Sequence, residues 1–107
     1  MVSREIIEIV ERFIKEIENE GIRVGKVFLY GSYAWGQARE DSDIDVAVVS
    51  CDFEKDAIEE NMRLWEIAVV VDVRLAPLAL AESDLEKLHI PIVAEVQKGI
   101  DLTPAAA

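Results

Sequence analysis

The chain has 107 residues, the size of one domain, and 51% of them are hydrophobic, enough to bury a core and too many for a disordered chain. Its formal net charge of −11, from 11 basic against 22 acidic side chains, disfavours direct nucleic-acid binding, which rests on Lys and Arg neutralising phosphates. A single cysteine, Cys51, excludes an internal disulfide, and no apolar stretch reaches the roughly 18 residues of a membrane span.

Residues 3–20 carry Ile6, Ile7, Val10, Phe13, Ile14 and Ile17 at helical spacing with charged residues between them. Ser3 is placed to cap this helix and Gly21 to end it. Residues 26–30 predict a short strand, and residues 32–37 one or two helical turns. A polar loop follows over residues 37–42. Residues 44–49 are almost continuously apolar, the pattern of a strand buried on both faces.

Further on, residues 53–65 predict a helix with Phe53, Ala57, Ile58, Met62 and Trp65 along one side, Trp65 in the core. The Val-rich run 67–75 predicts a third strand. Pro77 is placed to begin a helical turn, and Ser83 with Glu86 has capping-box spacing. Residues 90–98, with Pro91 in the first turn and Gly99 after the last, predict a final helix. The whole reads as one α/β (α+β) domain over residues 1–102, a small mixed sheet flanked by helices, with a flexible tail at 103–107. The N-terminus lacks the basic-then-apolar order of a signal peptide, so a cytoplasmic placement without membrane contact is expected.

The chemistry concentrates between the first two strands. Gly31 and Ser32 form a turn after the apolar run 27–30, and Gly31 permits close backbone approach to a phosphate. Asp43 and Asp45 stand at i and i+2, on one face of a strand and roughly 6.6 Å apart at their Cα atoms. Carboxylates so placed converge on hard cations. The connection 31–42 is too short for a full crossover, so the two strands are expected to be antiparallel. That pairing brings Gly31 and Ser32 to the same sheet edge as Asp43 and Asp45. Asp72 is a lone acid in an apolar run, costly to bury unless paired or metal-bound, and is the third candidate. Ser42, beside Asp43, is suited to cap the loop or orient that carboxylate.

The segment Tyr30-Gly-Ser-Tyr-Ala-Trp-Gly-Gln-Ala-Arg-Glu-Asp-Ser-Asp-Ile-Asp-Val-Ala-Val resembles the signature of the minimal nucleotidyltransferases of the DNA polymerase beta-like superfamily. The ending from Ile90 to Ile100 resembles that group's last helix more weakly. The resemblance implies a nucleotidyltransferase (polymerase beta palm-like) fold. It implies ATP as donor with Gly31, Ser32 and Ser42 on the nucleotide, and Mg2+, in a two-metal site, on Asp43, Asp45 and Asp72. It further implies an antitoxin that transfers AMP onto a tyrosine of a HEPN-family ribonuclease toxin; a homo- or hetero-oligomer is left open by the sequence.

Where family members often carry Arg or Lys after Gly-Ser, this chain has Tyr33 and Trp35; Arg39 and Arg74 are the candidate replacements. Two alternatives accompany this reading. One is an antitoxin with a weak site that acts by binding and occlusion. The other is a nucleotidyltransferase subunit for a small-molecule acceptor, which would need a second subunit to hold it.

Overall fold

The structure, a computed structural model, describes residues 2–39, 41–53 and 56–103. Helix α1 spans Arg4–Asn19, and the Ser3 hydroxyl accepts a hydrogen bond from the Ile6 amide at its start. Gly21, at φ +84°, takes the chain out of it. One face of α1 buries Ile6, Val10, Phe13, Ile14 and Ile17. Phe13 and Ile17 are completely enclosed, each worth roughly 1.5–3 kcal/mol of transfer free energy.

Four strands form one sheet: β1 (Lys26–Tyr30), β2 (Ile44–Ser50), β3 (Leu75–Ala81) and β4 (Ile100–Asp101), in the order β3-β2-β1-β4. β1 and β2 are antiparallel, as the short connection requires, with Tyr30 opposite Asp45. β2 and β3 are parallel, joined by helix α2 (Ala57–Val71) as the crossover. One sheet face, with Val27, Leu29, Ile44, Val46 and Val48, packs under α1 and α2. The other, with Phe28, Ala47, Val49 and Leu80, packs against helix α3 (Pro91–Gln97) through Val96.

The second half of the chain departs from the sequence reading. Residues 67–71 are not a strand but the last turns of α2, which runs on past Trp65 to Val71. Leu64 and Ala68 are buried at i and i+4, with Ile67 and Val71 partly buried beside them, which is helical spacing. A short run of β-branched residues is ambiguous between helix and strand by pattern alone. Helix α2 begins at Ala57, where the Asp56 carboxylate accepts from the Ile58 and Glu59 amides, so Phe53 precedes the helix. Trp65 is half exposed rather than core. Pro77 lies in the middle of β3 and starts no turn.

A 3-10 turn does follow at Glu82–Glu86, but Asp84, not Ser83, caps it, accepting from the Ala81 amide at 2.9 Å. Pro77 is tolerated because β3 is an edge strand. Its outward amides are occupied without a further strand: Leu75 by the Asp72 carbonyl, Ala79 by Asn61 Oδ1 and Ala81 by Asp84. Strand β4 has no counterpart in the sequence reading. It holds the chain's end against β1, and the Thr103 hydroxyl accepts from the Val27 amide at 3.1 Å. The remainder of the expected tail, residues 104–107, lies outside the described residues. Among the described residues no helix is long and apolar enough to cross a membrane.

Candidate active site

Strand β1 ends at Tyr30, and Gly31 turns the chain at φ +73° into a short 3-10 turn, Gly31–Tyr33. The Gly31 and Ser32 carbonyls accept from Ala34, Trp35 and Gln37, which folds the segment back on itself. The polar loop is closed at its far end by Ser42: its hydroxyl accepts from the Arg39 amide at 2.7 Å, and its own amide donates to the Arg39 carbonyl. The Tyr33 hydroxyl donates to the same carbonyl. Ser42 thus fixes the loop immediately before Asp43. Trp35 is half exposed.

Asp43 stands exposed just before β2, and Asp45 is half-buried within it, with Ile44 between them fully enclosed on the opposite face. The antiparallel register brings Asp45 beside Tyr30 and directly against the turn: a Cβ built on Gly31 would lie 3.1 Å from Asp45 Cγ. The structure therefore gathers Gly31, Asp43 and Asp45 at one end of the two central strands.

Burial pushes the Asp45 carboxyl up, and the neighbouring charge of Asp43 adds to it. Burial and the Asp45 charge push the Tyr30 hydroxyl up to about 12. Asp45 thus stands in a partly desolvated place beside a second carboxylate, and both disfavour its ionisation. A bound cation would reverse that effect, so this donor set fits a hard divalent ion. Among the described residues, no group of three or more His, Cys, Asp or Glu side chains is arranged to hold a metal by itself. Mg2+ is characteristically held by one or two carboxylates together with substrate phosphates, which is what this pair offers.

Asp72 reaches the same end of the sheet by an unexpected route. It follows α2 and precedes β3, and because β3 runs parallel to β2 the two strands start side by side. The Ile44 amide donates to the Arg74 carbonyl at 2.7 Å, tying the 72–74 segment to β2 between the two aspartates. The Asp72 side chain, however, is engaged by Arg74 at 2.9–3.2 Å, and it lines a groove with Glu5, Glu8 and Arg12 of α1. Arg74 holds the Asp72 carboxyl below the usual carboxylate range. The residue beside Asp45 on β3 is Ala76, so the row through Asp45 contains no third acid.

Arg74 also pairs with Glu5 at 3.1 Å. Arg74 is tied to β2 through its carbonyl, while Arg39, the other candidate replacement for the basic residues absent at 33 and 35, lies in the loop itself and bonds Ser42 and Tyr33 through its backbone.

A mixed sheet with a Gly-Ser turn beside an Asp-x-Asp strand at one end is the arrangement that the resemblance to the nucleotidyltransferases implies. Residues 6–98 match the family described as nucleotidyltransferase domain, and the chain belongs to that family. Over 79 residues it is 33% identical to a Methanocaldococcus jannaschii protein named "Putative protein adenylyltransferase MJ0141", a match covering 69% of this chain and 78% of that one. Among solved structures, one described as "a putative nucleotidyltransferase from Sulfolobus solfataricus" superposes with a TM-score of 0.65 at 16% identity, covering 91% of this chain and 78% of that one. A toxin-antitoxin structure with AMP-PNP gives a TM-score of 0.62 at 22% identity, covering 86% of this chain and 70% of that one. A mutant of the toxin-antitoxin MntA-HpeT gives 0.55 at 21% identity over the same shares. These structural likenesses establish the shared fold.

Proposed function

We propose that the chain is an ATP- and Mg2+-dependent adenylyltransferase that transfers AMP onto a partner protein, in the manner of an antitoxin acting on a HEPN-family toxin. The observation that carries this reading is the pairing of Asp43 and Asp45 against the Gly31 turn. The name of the archaeal relative and the toxin-antitoxin neighbours support the choice of a protein acceptor.

In this reading Asp43 and Asp45 would hold the metal, and the Gly31-Ser32 turn would let the triphosphate approach backbone. The metal would neutralise charge on the transferring phosphate. The acceptor hydroxyl oxygen attacks the α-phosphorus in line; the new O–P bond forms as the bond to the β-phosphate breaks, and pyrophosphate leaves. Asp72 is the third acid of the proposed set and the one assigned to take the hydroxyl proton. To serve there it must leave Arg74, which would free that guanidinium for the phosphates. Ser42 acts by holding the loop that positions Asp43.

The test uses α-labelled ATP, Mg2+ and lysate of the source organism, with wild-type protein compared against Asp43→Asn. One small labelled band with the wild type alone is the expected result. Equal labelling by both forms would refute the metal assignment. No label from either well-folded protein would favour a second reading, neutralisation by occlusion, to which Ala76 beside Asp45 and the Asp72–Arg74 pairing lend weight.

A further inference from the structure

Helix α2 shows solvent an apolar stripe that the fold itself does not use. Ile58, Met62, Trp65 and Val69 recur at i, i+4, i+7 and i+11, so they line up along one side of the helix over about 16 Å. They are 75%, 59%, 49% and 57% exposed. The core is reached by a different side, through Leu64 and Ala68. Val70 and Val73, also exposed, carry apolar surface toward the end of the sheet where Asp43 and Asp45 lie. Trp and Met are residues enriched at interface centres, and contiguous apolar surface of this kind marks an interaction site.

The charges around the stripe say what it fits. A groove of about 580 Å³ between α1 and α2 meets the stripe at Ile58 and Met62 and is lined by Glu16, Glu20, Glu59 and Glu66. Arg63, within the same groove, donates to the Glu20 carbonyl and so turns back onto its own chain. A second copy of a −11 chain, docked by the same surface, would bring like-charged rims together.

We propose that the α2 stripe docks a basic amphipathic helix of a partner protein, its apolar side on Met62 and Trp65 and its Lys or Arg residues against Glu16, Glu59 and Glu66. The inference stands on α2 and the α1 carboxylates beside it, and holds whether or not the chain transfers AMP.

The test uses an 18-residue Leu/Lys amphipathic helical peptide and its Leu/Glu counterpart. Trp65 fluorescence is the readout, in a Trp35→Phe background, with sedimentation run in parallel. The Lys peptide is expected to blue-shift Trp65 and to bind more weakly as salt rises, and the Glu peptide to leave the emission unchanged. Met62→Glu and Val69→Glu, exposed positions checked for folding by circular dichroism, should each weaken binding about tenfold or more. Absence of binding, equal binding of the two peptides, or binding indifferent to both substitutions would overturn the proposal. So would a dimer in sedimentation that Val69→Glu dissolves, since the stripe would then be a self-contact.

Discussion

The backbone of Gly31 lies against the carboxylate of Asp45, close enough that a Cβ at position 31 would meet Asp45 Oδ2, Cγ and Cβ at once. Gly31→Ala therefore faces two penalties, a positive φ and a steric conflict with a site carboxylate. Gly36 has a similar φ of +71°, but a Cβ added there would meet nothing within 4 Å, so it isolates the first penalty. Gly36→Ala should cost about 1 kcal/mol, and Gly31→Ala roughly 1–3 kcal/mol together with loss of ATP binding. Thermal melts and nucleotide titration of the two variants measure the difference.

Asp45 and Asp72 are expected to act on stability with opposite signs. The Asp45 carboxyl is raised in the fold by burial and by Asp43, so its favourable contribution belongs to the protonated form and is lost as pH rises through its folded pKa. Asp45→Asn should raise Tm at neutral pH, with the gain vanishing below the carboxylate range.

The Asp72 carboxyl is lowered by Arg74, so its contribution is present above the ordinary Asp pKa and is lost on acidification through the lowered value. Asp72→Asn should lower stability at neutral pH by up to about 1 kcal/mol, and the difference from wild type should disappear in acid. Melts from neutral pH down to about pH 3 check both signs.

In the transfer assay Asp43→Asn and Asp45→Asn should each reduce labelling by about a hundredfold or more, as expected when a metal's carboxylate ligand is removed. Asp72→Asn distinguishes two roles. A loss as deep as that of Asp43→Asn would place it among the ligands. A shallow loss accompanied by weaker ATP binding would mean that it acts by holding Arg74. Arg74→Lys, which keeps the charge but not the fork, should weaken nucleotide binding in either case.

Asn61 stands at the sheet's edge, its side-chain oxygen accepting from the Ala79 amide at 2.9 Å and its nitrogen donating to the Ala57 carbonyl at 2.7 Å. Asn61→Leu leaves the Ala79 amide without that acceptor and should cost about 1–3 kcal/mol. Hydrogen exchange should rise at Ala79 before it rises in β2, an order that a merely global destabilisation would not produce.

The sequence was most legible where chemistry and geometry demanded the same residues. Ser3, the stripe from Ile6 to Ile17 and Gly21 defined α1 to within a residue or two. The short connection after Tyr30 required an antiparallel pair, and this alone brought Gly31 to Asp45. The reading failed at residues 67–75. Val69, Val70 and Val71 have strand propensity, but Leu64 and Ala68 anchor a helix that carries them along, leaving Val69 and Val70 in solvent. That one shift displaced β3 to Leu75–Ala81, made Pro77 an edge-strand residue and took Asp72 out of the strand onto Arg74. The pairing of Asp72 with a residue only two positions away was a signal available in Asp-Val-Arg. Strand β4, two residues long, carries no periodicity to read.

The strand order β3-β2-β1-β4 sets the fourth strand beside the first. During translation β1 can find β2 as soon as residue 50 emerges, yet its other side must wait for Ile100 and Asp101, some fifty residues later, and for Thr103 to reach the Val27 amide. Through that interval the nascent domain presents an open flank on β1, and a two-residue strand is what closes it.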